Sequence, residues 1–503
     1  MKIRKKLFLI TITLSLILSA LLPGIQHVFA DLGTILSTFP MWYFPVSAFY
    51  PEFEKGTDLG IAVSHAGDFN GDGIDDIIFG AQKFSDQVYR EGAVFAFAGT
   101  SASEGISNIP SWKIGGGQQG SLFGCEVAPL GDINDDGKDD IAVGACEYSN
   151  IIEEVTYPKV GAVYVFHGFL DSVKKSHDWD FIGDQEEARV GSALSGGDFN
   201  GDGHGDLLVG APLYDDLALT NNGKVFLFSG SNVGLQDISV WSVSGYANSA
   251  IFGSAVANAG DVNGDGELDI LIGAPQPGSS MNPQVGHAYV YHNQGEGVFN
   301  TTADWISTDH MEMGKFGASV AGVGDINGDT FDDVLIGSPG AKNSEDVVVG
   351  CAYLYAGSPD GLELTPLWQQ CGDQQYGQFG YAVAAAGDIN DDGYADILVS
   401  MPNYSISNEH QGAVFLYFGS QFGIRTDYIE KTTGNKADTE FGFSVSSAGD
   451  VNADGRLDVI VGAPSYKVNN ERYGRAMLYY AGLSGIPDPD FARIFLPIIL
   501  DGN

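Results

Sequence analysis

One acidic nonapeptide recurs seven times along the 503-residue chain, and its spacing of oxygen-bearing side chains is that of a metal loop. The copies start at Asp68, Asp132, Asp198, Asp261, Asp325, Asp388 and Asp450, and all carry Asp, Asn, Asp and Asp at positions 1, 3, 5 and 9. Calcium takes about six to eight oxygens from carboxylates, amide carbonyls and main-chain carbonyls, and oxygens at alternate positions of a tight loop can wrap one ion. The candidate ligands are therefore Asp68, Asn70, Asp72 and Asp76 in the first copy and Asp132, Asn134, Asp136 and Asp140 in the second. Asp198, Asn200, Asp202 and Asp206 follow, then Asp261, Asn263, Asp265 and Asp269, then Asp325, Asn327, Asp329 and Asp333. The last two sets are Asp388, Asn390, Asp392 and Asp396, and Asp450, Asn452, Asp454 and Asp458. Position 7 would lend only its carbonyl, which leaves its side chain free to be Ile74, Lys138, His204, Glu267, Phe331, Tyr394 or Arg456. Up to seven Ca2+ ions are expected, with a structural role.

Asp, Asn and Gly also make good turns, but turn-making does not demand the same four side chains in seven copies. Magnesium fits less well because it prefers a tighter octahedron with retained waters. An EF-hand is excluded by the absence of Glu at position 12 and by β-branched runs where helices would stand. Gly at position 6 permits a bend with positive φ. Thr330 takes that place in the fifth copy, and a β-branched residue resists positive φ. The fifth site is expected to be the weakest or to have an altered loop.

The elements that hold these loops repeat with them. Successive copies start 64, 66, 63, 64, 63 and 62 residues apart. Each unit opens on an apolar stretch with a dipeptide such as Phe123-Gly124, Phe252-Gly253, Phe316-Gly317, Phe379-Gly380 or Phe441-Gly442. After the loop comes a β-branched run, ending in Gly-Ala-Pro at 210–212, 273–275 and 462–464. An alternating segment follows, such as GAVYVFHG from Gly161, and then a stretch bearing Trp112, Trp179, Trp241, Trp305 or Trp368, with Tyr428 in that role once. Short runs of Val, Ile, Phe and Tyr bounded by Gly, Pro and Asn read as strands. Four strands per repeat of this length define an all-β, seven-bladed β-propeller of four-stranded antiparallel blades; an open β-solenoid normally has a shorter repeat. The last repeat lacks a Trp-bearing fourth strand, which either the segment Trp42 to Phe49 or the tail from Phe491 to Leu500 could supply. Closing the ring would remove edges that invite aggregation.

Residues 1–30 read as a signal peptide, with Lys2, Arg4, Lys5 and Lys6, an apolar run from Leu7 to Leu22, and Ala30 at the cleavage site. The propeller is expected over 31–485, with a C-terminal tail at 486–503. No later stretch approaches the roughly 20 apolar residues of a membrane helix, so the mature chain should be secreted, with no membrane insertion after cleavage. The formal charge of −41 repels phosphate backbones and argues against nucleic acid. Export makes disulfides possible, and Cys125, Cys146, Cys351 and Cys371 allow three pairings. The 125–146 pair centres on the second acidic loop and the 351–371 pair on a turn at 358–361, so these pairings are favoured over free thiols.

The Phe-Gly openings, the Gly-Ala-Pro closings and the D-x-N-x-D-G-x-x-D loops resemble the FG-GAP repeats of the integrin α-chain propeller, over about residues 40 to 485. The resemblance implies a seven-bladed ring with calcium loops on one face, ligand-binding loops on the other, and a role in cell adhesion. Leg domains, a membrane helix and an inserted ligand-binding domain are not found in this sequence, so no particular partner carries over. By strand order, the connections after the second and fourth strands face away from calcium. They hold Tyr148, Tyr157, Tyr214, Tyr404, Tyr466 and Tyr473, an aromatic set that could stack on a sugar or anchor a protein. An extracellular binding module for a protein or glycan ligand is expected, acting as a monomer. A structural surface or matrix component is the first alternative. A secreted hydrolase or lyase is the second, although no nucleophile elbow, zinc helix or phosphate loop occurs.

Overall fold

The computed structural model describes residues 40, 42–44 and 55–481, less 102–104, 108, 170–175, 217, 277–284, 308–313, 407–408, 426–428 and 435. The stretch read as a signal peptide, the 486–503 tail and Tyr428 lie outside the described residues. Seven four-stranded antiparallel sheets follow one another along the chain, and no helix occurs among the described residues. Blade 1 comprises Leu59–Gly67, Asp76–Ala81, Ala93–Phe97 and Trp112–Gly115. Blade 2 repeats the order with Phe123–Gly131, Asp140–Ala145, Ala162–Phe166 and Trp179–Ile182. The first strands of consecutive blades touch all the way round, the seventh against the first.

The N-terminal segment closes the ring. Trp42–Tyr43 pairs with the third strand of blade 7, Trp42 opposite Leu478 and Tyr43 opposite Met477. Trp42 then packs edge-on against Phe97 of blade 1, ring centroids 5.0 Å apart. The other Trp residues make the same contact one blade further on. Trp112 meets Phe166 at 5.0 Å, Trp179 meets Phe228 at 5.0 Å, and Trp241 meets Tyr291 at 5.3 Å. Trp305 meets Tyr355 at 5.1 Å and Trp368 meets Tyr417 at 5.0 Å. All are buried, so the repeated Trp is an inter-blade wedge. Edge-to-face geometry suits the aromatic quadrupole.

Glycine at the two signature positions is explained by close approach between blades. A Cβ on Gly210, next to last in the second strand of blade 3, would stand 2.1 Å from the carbonyl oxygen of Gly253, just ahead of the first strand of blade 4. The Gly273–Gly317, Gly337–Gly380 and Gly462–Gly60 pairs repeat this at 2.0, 2.1 and 2.1 Å. Backbone meets backbone there, so no side chain could yield space. The second strands, such as Asp269–Ala274 and Asp333–Ser338, are buried along their whole length, each opening on a buried Asp and continuing mainly with apolar residues.

Both favoured disulfides form, Cys125–Cys146 and Cys351–Cys371, and no cysteine is free. Cys351 and Cys371 are directly opposed on the third and fourth strands of blade 5. Cys125 and Cys146 are not directly opposed, as symmetry about the acidic loop would have them. Cys125 lies in a register shift between Phe123 and Val127, and Cys146 just beyond its strand.

Candidate calcium loops and the opposite face

Each acidic loop joins the first and second strands of its blade, and the antiparallel order puts all seven on one face. The loop winds around its position-1 carboxylate. In the first copy Asp68 accepts the amide hydrogens of Asp72 at 2.8 Å and Gly73 at 2.7 Å. The same position-6 amide bond recurs in the other six at 2.7 to 2.9 Å. Position 5 accepts from the amide of position 7, as Asp265 does from Glu267 at 3.0 Å. Thr330 keeps the shared geometry, with φ of 79° and its amide 2.8 Å from Asp325. The altered-loop alternative for the fifth copy is thus not seen; the loop keeps its shape with a β-branched residue in the left-handed region.

Position 9 has a second task. Asp269 accepts from the amide of Val262 in its own loop and from that of Asn293 beyond the third strand, at 3.2 and 2.9 Å. Asp140, Asp206, Asp333 and Asp396 bridge the same two places. Burial pushes all seven position-9 carboxyls up, to about 7 for Asp140, Asp206, Asp269 and Asp333 and to about 8 for Asp76, Asp396 and Asp458. The backbone hydrogen bonds oppose that rise, and the carboxylates at positions 1 and 5 add to it.

The donor set suits a hard dication. Each loop carries three carboxylates and one side-chain amide in its sequence, with little positive charge to balance them; Lys138 on Asp136, at 3.2 Å, is an exception. Asn134 Oδ1 is buried without a hydrogen-bond partner, as an oxygen awaiting a cation would be. Among the described residues no three acidic, His or Cys side chains are grouped closely enough to hold an ion alone. A bound ion would therefore also draw on the Asn oxygen and the position-7 carbonyl.

Sequence reasoning passed over position 8. Asp139 accepts the amide of Asp68 from the previous blade at 2.7 Å, Asp332 that of Asp261 at 2.8 Å, and Asp75 that of Asp450 at 2.7 Å. These carboxylates tie loop to loop at three of the seven junctions. Elsewhere position 8 is Gly205, Leu268, Ala395 or Leu457, and this variation hid the role.

On the opposite face the six tyrosines part company. Tyr404 and Tyr466 are buried, 8% and 3% exposed. Tyr214 and Tyr473 are half-buried against the inter-blade core, as is Tyr148. Only Tyr157, 36% exposed, stands out from the surface. It belongs to a hairpin of Asn150–Ile152 and Val155–Tyr157 that rises between the second and third strands of blade 2. Ile151, Ile152 and Val155 are exposed there too. No run of alternating residues marked this ridge in advance.

A ring of seven such blades, each with a loop of this kind, is the architecture of FG-GAP proteins. The FG-GAP repeat matches residues 60–97, 126–166, 190–228, 252–291, 316–350, 379–417 and 441–476, and the chain belongs to that family. It is 35% identical over 220 residues to integrin alpha pat-2 of Caenorhabditis briggsae, covering 41% of this chain and 17% of that one. It is 27% identical over 451 residues to the phosphatidylinositol-glycan-specific phospholipase D of Bos taurus, covering 79% and 51%. Integrin alpha-5 of Xenopus laevis is 27% identical over 281 residues, covering 54% and 25%. The chain spans about half or less of the length of these curated relatives.

Proposed function

We propose that this chain is a secreted, calcium-binding propeller that serves as an extracellular binding or adhesion module, with its protein or glycan ligand received on the face away from the loops. The observation that carries the reading is the sevenfold recurrence of one oxygen-rich loop, in one hydrogen-bonded shape, on one face of the ring. Asp at positions 1, 5 and 9, Asn at position 3 and the position-7 carbonyl hold the ion. Calcium supplies the positive charge that the buried carboxylates lack and stiffens the loops against neighbouring blades. The variable connections opposite are then free to specialise without disturbing the scaffold. The integrin α relatives support adhesion as the use of that face.

The test is a screen of the mature protein against extracellular proteins and glycans, with calcium and again with chelator. Calcium-dependent binding to one ligand class is expected. No binding by folded, calcium-loaded protein would turn the reading toward a structural surface component. A second reading, a secreted enzyme, is favoured by the phospholipase D relatives; turnover of phosphatidylinositol-glycan by the purified chain would establish it over the first.

A further inference from the structure

The seven acidic loops are alike in themselves and unlike in how they meet. Numbering them by blade, the carboxylate at position 8 reaches back to the preceding loop at three junctions. Asp75 of loop 1 bonds loop 7, Asp139 of loop 2 bonds loop 1, and Asp332 of loop 5 bonds loop 4. The other four junctions have Gly205, Leu268, Ala395 or Leu457 at that position. Loops 7, 1 and 2 are therefore tied in a row and loops 4 and 5 as a pair, while loops 3 and 6 are tied to no neighbour in this way.

The group held at each tie is the main-chain amide of position 1, the residue whose carboxylate organises its own loop. At two junctions the tie is double. Asp139 accepts the amide of Asp68 at 2.7 Å while its own amide donates to the Asp68 carbonyl at 3.2 Å, and Asp332 treats Asp261 alike at 2.8 and 3.1 Å. Position 8 in turn stands between two ligand positions of its own loop, the carbonyl of position 7 and the carboxylate of position 9. One residue and one hydrogen bond thus separate a ligand position of one loop from two of the next. The glycine before position 1 leaves room for the tie. A Cβ on Gly67 would stand 2.0 Å from Asp139 Oδ2, on Gly260 2.3 Å from Asp332 Oδ2, and on Gly449 2.3 Å from Asp75 Oδ2.

Two other contacts between loops do not divide the ring in this manner. The position-2 carbonyl accepts from the turn after the third strand of the next blade at tied and untied junctions alike, as Phe69 does from Phe169 and Ile326 from Ser420, both at 3.1 Å. Arg456 of loop 7 reaches Asp391 of loop 6 at 3.5 Å, but Asp391 is not a ligand position, and exposed pairs of this kind contribute little.

We propose that position 8 divides the seven calcium sites into a cooperative trio in blades 7, 1 and 2, a cooperative pair in blades 4 and 5, and two independent sites in blades 3 and 6. Without metal, Asp139 stands as a like charge beside Asp68, and Asp332 beside Asp261. Filling one loop of a tied set removes part of that repulsion and fixes the shared amide, so the ligands of the other loop are placed in advance. Linkage makes the effect reciprocal. The inference rests on the reading of the loops as calcium sites and adds which of them fill together.

The test is calcium titration of the full mature chain by native mass spectrometry, which counts the ions bound at each free concentration. The thermal midpoint at saturating calcium checks folding. Asp72→Ala removes a position-5 ligand and silences loop 1. It should lower the final count by one and shift two further binding steps, those of loops 7 and 2, to about tenfold higher free calcium, inside the ~5–150-fold range of typical couplings. Asp202→Ala, the same change in loop 3, should also remove one ion but leave the remaining steps within about twofold. In an Asp139→Ala background, silencing loop 1 should weaken one other site and not two. Asp139→Asn, which keeps an acceptor for the Asp68 amide, should restore part of the coupling. A gain-of-function variant does not depend on damaged loops. Beside Gly324, a Cβ would stand 3.5 Å from that of Ala395, and Ala395→Asp should build a tie there. Asp392→Ala, which silences loop 6, would then weaken the site of loop 5, as it does not in the natural chain. Equal shifts from Asp72→Ala and Asp202→Ala, or two weakened sites despite Asp139→Ala, would overturn the proposal and leave the calcium reading standing. A folded chain that binds no calcium would sink both.

Discussion

On one face of the ring, seven loops repeat the same hydrogen bonds to within a few tenths of an ångström, down to Thr330 doing the work of glycine. On the other face the connections between second and third strands diverge. Blade 2 raises an apolar hairpin there, and blades 6 and 7 carry the short pairs Ser405–Ile406 with Glu409–His410 and Lys467–Val468 with Glu471–Arg472. The difference follows from what each loop is tied to. An acidic loop is bonded through position 9 to the end of its own third strand, and at three junctions through position 8 to its neighbour, so that a change there disturbs two blades. A connection on the far face has no repeated bond of that kind; its ties to neighbours differ from blade to blade, as Gln118 to Ser149 and Gln374 to Ser405 do.

The largest test of this contrast is metal removal. With free calcium at ten times the dissociation constant, one site adds about 1.4 kcal/mol and seven independent sites about 10 kcal/mol, which rivals the stability of a typical domain. Chelation should lower the thermal midpoint sharply, and a midpoint indifferent to calcium would deny the loops their structural role. Next in size, Asp269→Ala should cost ~2–4 kcal/mol in urea titration, because it strands the buried amides of Val262 and Asn293. A loss under ~1 kcal/mol would mean that position 9 does not clamp the third strand.

Thr330→Gly should tighten calcium at the fifth loop by roughly fivefold to tenfold, the ~1 kcal/mol or more that left-handed backbone costs a residue with a Cβ. Calorimetry on the two proteins would show it, and unchanged affinity there would refute the idea of strain. Smallest of all, replacing Ile151, Ile152 and Val155 together by Ser should leave stability within ~0.5 kcal/mol, while reducing partner binding. A large loss of stability would show that the far face is not independent of the scaffold.

Much of this could be read from the chain. The blade count, the strand order and the two cysteine pairings could be read from spacing, although Cys125 and Cys146 pair across a register shift and not as directly opposed residues. The choice of Trp42 over the tail as closing strand could not, since Trp42 stands further ahead of its blade than its counterparts do and only pairing with Leu478 settles it. The tyrosines show the limit from the other side. Tyr404 and Tyr148 hold equivalent places in their repeats, yet one is buried beneath Lys431 and the other borders an open cleft.

The sequence by itself determined the repeating parts: the ring, the loops and the oxygen-bearing side chains they share. These depend on local periodicity, and each unit restates it. The tertiary structure alone decided which carboxylates tie neighbouring loops, and which tyrosines of the far face are buried. Those outcomes depend on side chains far apart in the chain, from different strands and blades, that meet only when register and blade packing bring them together.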